Sequence, residues 1–160
     1  LILLGILKKR QNKQLNTKGE TMITEQKEIK FWRWLKNKLS KEPVDLQRIE
    51  NTTGGGVPDV NACHHGREAW IELKVHVKGM VVLRKEQYAW IVRRGHTHGG
   101  NVMVMALDPV NSKVEIYYPR FEVRKWGNTG KYVAITSEPQ FTCDKGVGSA
   151  ELVRAIFWPN

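Results

Sequence analysis

Hydrophobic positions recur along this chain with two periods, and the switches between them mark out its elements. In TEQKEIKFWRWLKNKLSK, residues 24–41, Ile29, Trp32, Leu35 and Leu39 fall at helical spacing and define one apolar face. Lys30, Arg33, Lys36 and Lys38 lie largely outside that stripe. Thr24 stands where an N-cap belongs; Lys27 rather than Glu occupies the third helical position, so no capping box forms. Pro43 stops the helix. Period-two alternation then predicts strands at 44–51 (VDLQRIEN), 57–62 (VPDVNA) and 68–75 (EAWIELKV). The flexible turn TTGGG and the turn CHHGR separate them, and Pro58 sits near a strand start, where a missing N–H is tolerated. HVKGMVV connects without a clear pattern. LRKEQYAWIVRRG, 83–95, predicts a helix with Tyr88, Ile91 and Val92 on its apolar side and Gly95 at its end. NVMVMAL, 101–107, is almost unbroken apolar sequence, as a buried strand requires. Strands at 114–118 and 131–137 and a helix at 149–157 complete the order. The class is α/β, ordered α-β-β-β-α-β with a β-rich tail.

Composition narrows the partners. The 160 residues suffice for one domain with its own core. A net charge of +10 favours a polyanion, either nucleic acid or an acidic membrane surface. No apolar run approaches the roughly 20 residues needed to span a bilayer. LILLGIL at the start is followed, not preceded, by basic residues and makes a poor signal peptide. Cys63 and Cys143 show neither zinc spacing nor a disulfide framework, so a reducing cytoplasm is expected. Residues 1–21 stand apart. Lys18-Gly19-Glu20-Thr21, just before Met22, is encodable as a purine-rich ribosome-binding sequence, so this stretch is expected to be translated leader; the alternative is a basic, disordered arm. The chain stays basic without it.

Candidate chemistry gathers in the second and third strands. A hairpin turning at His65-Gly66 sets Asp59 opposite Glu72 and Asn61 opposite Trp70. Directly opposed residues have Cβ atoms about 4.5–5.5 Å apart. Lys74 lies two residues beyond Glu72 and shares its face, while Val60, Ala62, Ile71, Leu73 and Val75 fill the other. Facing carboxylates need a cation, a shared proton or water between them. A divalent metal answers that need. Mg²⁺ takes one or two carboxylates, keeps several waters and accepts phosphate oxygens, and Mn²⁺ is expected to substitute. Such an ion lowers the pKa of bound water and polarises a phosphate. Lys74 is placed to orient the attacking water or offset phosphate charge, and the Leu73 carbonyl offers a further ligand. The plain alternative is a solvated sheet face with a Glu–Lys pair.

Pro58-Asp59, twelve intervening residues and Glu72-Leu73-Lys74 resemble the PD-(D/E)XK nuclease superfamily. The fuller pattern GVPDV…WIELKV…LRKEQYAW resembles the small virus-type replication-repair nuclease domains, common in phages and related to archaeal Holliday-junction resolvases. The resemblance covers about residues 25–107. It implies a restriction-endonuclease-like core over 22–107, with 108–160 as a β-rich extension of the same domain. It implies Asp59 and Glu72 as metal ligands, Lys74 as catalytic lysine, and Gln87, in a Gln-x-x-aromatic pattern with Trp90, reaching toward the metal or a nucleotide. A helix-borne acid corresponds to Glu28 or Glu25, with Glu28 favoured; Glu50 is a further accessory candidate.

Lys78, Arg84, Lys85 and Arg67, with Arg93-Arg94, are candidate phosphate contacts; solubility charge is the alternative. Trp70, on the carboxylate face, and Trp34, off the helical stripe, are candidates for DNA or dimer contact. Arg124-Lys125-Trp126 is a basic–aromatic patch of similar standing. Cys63-His64-His65 is too tight a cluster for one zinc. The resulting expectation is a Mg²⁺-dependent DNA endonuclease acting on branched or junction DNA, in the cytoplasm of a phage-infected bacterium. Cutting two strands symmetrically calls for a homodimer, with the apolar stripe of the first helix as one surface for it. A non-catalytic nucleic-acid-binding module, or a nuclease for duplex, single-stranded DNA or RNA, is the alternative.

Overall fold

In the computed structural model, which describes residues 22–50 and 55–159, helix α1 occupies residues 22–39. The expectation for residues 1–21 lies outside the described residues. Thr24 is inside α1 rather than at its cap. The buried stripe is Phe31, Leu35 and Leu39; Trp32 is half-buried against the core and Ile29 is exposed. The apolar face is thus rotated from the expected one, because Phe31, stacked on Trp34 at 5.6 Å, takes the inner position. That stripe belongs to the core and is no dimer surface. Trp34 packs there too and donates its indole N–H to the Lys145 carbonyl, so it is no free platform.

Strand β1 (Val44–Arg48) is followed by β2 (Val60–His64) and β3 (Arg67–Val75). β2 starts three residues later than the alternation suggests, leaving Pro58 and Asp59 in the segment before it, with a bend at Asp59. The β2–β3 turn forms at His65 and Gly66, both with positive φ, the backbone of a tight two-residue hairpin. It sets Asn61 opposite Trp70 and Val60 opposite Ile71, the expected register.

A short β4 (Val82–Arg84) takes Val82 from the unpatterned connector and Leu83 and Arg84 from the start of the helix predicted over 83–95. It precedes α2 (Lys85–Ile91), which runs on as a π-helical turn, Val92–Thr97. Gly95 lies inside that turn rather than ending the helix; a Cβ there would stand 2.2 Å from Pro119 Cγ. Next come β5 (Val102–Asp108), β6 (Lys113–Tyr117), β7 (Val123–Trp126), β8 (Tyr132–Ile135), β9 (Phe141–Asp144) and α3 (Ser149–Phe157). β7 and β9 carry too few apolar residues to announce themselves by alternation.

Six strands form a mixed sheet in the order β1-β2-β3-β5-β6-β9, and β4-β8-β7 form a second, smaller sheet. β5 runs parallel to β3, and its continuous apolar sequence follows from burial on both sides. One face of the large sheet, with Ile71, Leu73 and Met105, packs on α1 and α3. The other, with Trp70, Val104 and Tyr117, packs on Trp90 and Ile91 of α2 and on Leu83 and Val133 of the small sheet. Residues 108–159 are therefore woven into both sheets and both cores.

Gly56 joins this frame to the site. Its φ is +71°, and a Cβ there would lie 2.3 Å from the Glu86 carbonyl oxygen in the first turn of α2. Gly66 has a similar φ but opens onto free space. Gly66→Ala is expected to cost only the left-handed strain, roughly 1–2 kcal/mol. Gly56→Ala must also push backbone from backbone, and urea unfolding should show the larger loss; equal losses would mean that the Gly56–α2 contact carries no weight.

Candidate active site

Glu72 is the one acidic side chain fully buried among the described residues, and everything around it follows from its position. It lies mid-strand in β3, on the face turned toward α2. Lys74, the next residue on that face, sets its Nζ 3.0 Å from Glu72 Oε1. Gln87, buried in the first turn of α2, donates its amide N–H to the same Oε1 and accepts the Arg84 backbone N–H at 2.9 Å. Helix start and carboxylate are thereby locked together. Glu72 Oε2 is buried with no hydrogen-bond partner, as is Asn61 Nδ2. A buried polar atom left unpaired costs about 1–3 kcal/mol, and more when charged.

Asp59 meets this pair from the end of β2. The Leu73 N–H, beyond the last β2–β3 pair, donates to Asp59 Oδ2 at 3.0 Å. The side chain continues a ladder that the backbone has stopped supplying. A residue's N–H and C=O point to the same neighbouring strand, so the Leu73 carbonyl faces that edge as well. Glu28 approaches from α1, 3.8 Å from Lys74 Nζ. Glu25, one turn earlier, is exposed. Glu50 is exposed beyond the end of β1.

The electrostatics are those of crowded acids. Burial pushes the Glu72 carboxyl up to about 8, and Asp59 and Glu28 push the same way against the pull of Lys74. Burial likewise raises Glu28. Burial alone would lower Lys74, but Glu72, Glu28 and Asp59 outweigh it, and the ammonium is held charged. No three His, Cys, Asp or Glu side chains among the described residues close into a metal cage. What the site offers is an orphaned carboxylate oxygen beside further acids. That donor set fits a hard divalent cation that keeps waters and substrate oxygens in its shell.

A cleft of about 560 Å³ opens over Lys74 and Gln87. Glu25 and Glu28 line it from α1, and Arg84, Trp126 and Tyr132 from the small sheet. Trp126 was visible as part of a basic–aromatic patch; Tyr132 carried no signal, because only the β7–β8 pairing brings it here. The remaining candidates are dispersed. Lys85 is exposed at the start of α2 and Lys78 on the tight turn after β3. Arg67 lies at the opposite end of β3, over the Trp158 ring at 4.9 Å. Trp70 is half-buried against Trp90, ring centroids 5.6 Å apart. Sequence also left unseen a triad beyond Lys74: His76 Nε2 lies 2.8 Å from Glu115 Oε2, which also accepts the Tyr117 hydroxyl. It ties the residue after β3 to β6 across the intervening β5.

The mixed sheet flanked by helices, with carboxylates at the inner end of a hairpin, is the restriction-endonuclease-like α/β fold. Among solved structures it is similar to Hjc, a Holliday junction resolvase of the archaeal hyperthermophile Archaeoglobus fulgidus. The TM-score is 0.50 at 18% sequence identity, covering 79% of this chain and 94% of that one. The likeness is one of fold. No family model matches the sequence, and a search of curated proteins finds no match.

The raised Glu72 carboxyl has a signed consequence. Below the ordinary value of 4.5 both folded and unfolded states are protonated, and burial costs nothing extra. Between there and about 8 the unfolded chain releases a proton that the folded one retains, so stability falls as pH rises, by at most about 1.4 kcal/mol per pH unit. In EDTA, unfolding midpoints of the native chain should drop across this window relative to those of Glu72→Gln. Parallel pH profiles for the two would show that Glu72 ionises freely in the fold.

Proposed function

We propose that this chain is a divalent-metal-dependent DNA endonuclease that hydrolyses phosphodiester bonds in branched or junction DNA. The observation that carries the reading is the buried Glu72 with its unpaired oxygen, ringed by Lys74, Gln87, Asp59 and Glu28. A stable fold gains nothing from such a carboxylate, whereas a cation site requires one. The nuclease-type fold, the Pro58-Asp59…Glu72-Leu73-Lys74 spacing and the net charge of +10 support it from independent directions.

Asp59, Glu72 and the Leu73 carbonyl would hold Mg²⁺, or Mn²⁺ in its place, with Glu28 as accessory acid. The ion supplies Lewis-acid stabilisation of the phosphate and a more acidic bound water. Gln87 keeps Glu72 from rotating. Lys74, charged and held by two carboxylates, offers an ammonium to the attacking water and to the charge growing on phosphorus. Arg84 lines the cleft with a cation for the DNA backbone; Lys85 and Lys78 are exposed cations that would meet DNA outside it, and Arg67 and Trp70 would serve only a substrate extending along β3. We place the chain with the virus-type replication-repair nucleases, acting in the cytoplasm of a phage-infected bacterium. One site per chain calls for a second copy to cut both strands of a junction symmetrically.

Cleavage of matched four-way junction, duplex and single-stranded DNA in Mg²⁺ tests the reading. Asp59→Ala and Lys74→Met should each lose at least about a hundredfold in rate while still binding DNA. Binding without cleavage by the native chain in both Mg²⁺ and Mn²⁺ would instead make this a nucleic-acid-binding module.

A further inference from the structure

The small sheet has an inner and an outer face, and the outer one forms part of the cleft. Leu83, Val133 and Ile135 point into the core. Strand alternation directs Arg84 and Tyr132 the other way. Arg84 stands opposite Tyr132, and Tyr132 opposite Trp126, so the three make one cross-strand row. Directly opposed residues have Cβ atoms about 4.5–5.5 Å apart, so two aromatic side chains and a guanidinium share one strip of the sheet surface. The β7–β8 turn secures this alignment: Gly127 and Gly130 both adopt positive φ and let the strands close with Trp126 against Tyr132. Tyr132 is 40% exposed, Trp126 half-buried. Arg124, two residues before Trp126 on the same face, is exposed.

A cross-strand pair stabilises any sheet by a few tenths of a kcal/mol to about 1 kcal/mol. Here it does so inside the cleft that also holds Lys74, Glu28 and Gln87. Rings bordered by cations accept the face of a nucleobase. Paired bases within a duplex present only their edges; only an unpaired base offers its face.

We propose that Tyr132 and Trp126, flanked by Arg84 and Arg124, form a stacking platform for one unpaired nucleobase beside the phosphodiester held over Lys74. The identity of that ligand rests on the nuclease reading above. The platform would make the chain prefer DNA with an extruded base at a branch point or bulge over continuous duplex. The selecting surface then comes from residues 123–132 and the cutting chemistry from β3.

The test uses a duplex bearing one extruded 2-aminopurine, the same duplex with an abasic bulge, and the continuous duplex, all in EDTA so that nothing is cut. The native chain should bind the 2-aminopurine bulge roughly five- to a hundredfold more tightly than the abasic one, with quenching of its emission. Tyr132→Ala and Trp126→Ala should each erase most of that difference, and Trp126→Phe should restore most of it. Circular dichroism and thermal unfolding check that each variant is folded. Equal affinity of the native chain for the two bulges, or equal losses on all three DNAs in the variants, overturns the platform. Asp59-dependent cleavage assayed in Mg²⁺ separates the two readings. Cutting with no base preference leaves a nuclease without the platform; base-dependent binding without cutting leaves the platform on a binding module.

Discussion

A carboxylate buried in the middle of a β-strand, with one oxygen held twice and the other not at all, organises this molecule. Glu72 Oε1 takes the ammonium of Lys74 and the amide of Gln87, while Oε2 meets nothing. Each partner belongs to a different structural duty. Lys74 continues the strand, and Gln87 starts α2 by accepting the Arg84 N–H. Gly56 lets the segment before Asp59 lie against that same helix start. Moving the carboxylate would therefore disturb a strand end, a helix start and a loop at once.

Rigidity here comes from two cores. The hairpin bearing Asp59 and Glu72 is pressed from one side by α1 and α3 and from the other by α2 and the small sheet. The acids sit where the backbone pairing of β2 and β3 ends and a side chain, Asp59, takes over the ladder. Such an end brings a main-chain carbonyl, a carboxylate and a change of direction together. Rigid strands hold these groups more firmly than loops would. The cleft walls, by contrast, come from α1, β4, the start of α2 and strands late in the chain.

Several features were legible from residue order alone. The His65-Gly66 turn, the β2–β3 register, the shared face of Glu72 and Lys74, the buried run of β5 and the helix 149–157 all depend on neighbours within a few positions. Their periodicity and turn chemistry reached the fold intact. Gln87 entered through its spacing from Trp90, and the structure brings it against Glu72. The α1 stripe was read askew at its start: Ile29 with Trp32, and Phe31, each keep a helical period with Leu35 and Leu39, and only the sheet beneath selects Phe31. β4, β7 and β9 were missed because short strands, three or four residues each, hold too little alternation to be distinguished from loop.

Local pattern thus established the strand that carries Glu72 and Lys74 and the face those two share; Asp59 lies just before β2, beyond the last β2–β3 pair. Local pattern could not say which oxygen would be left without a partner, since that depends on Gln87 arriving from α2 and Glu28 from α1. Nor could it place Tyr132 beside Arg84, or His76 beside Glu115, because those contacts join strands distant in sequence. Burial is the physical reason for the division. Whether a charged group is solvated, paired or stranded depends on every element that closes over it, and these meet only when the whole chain has folded.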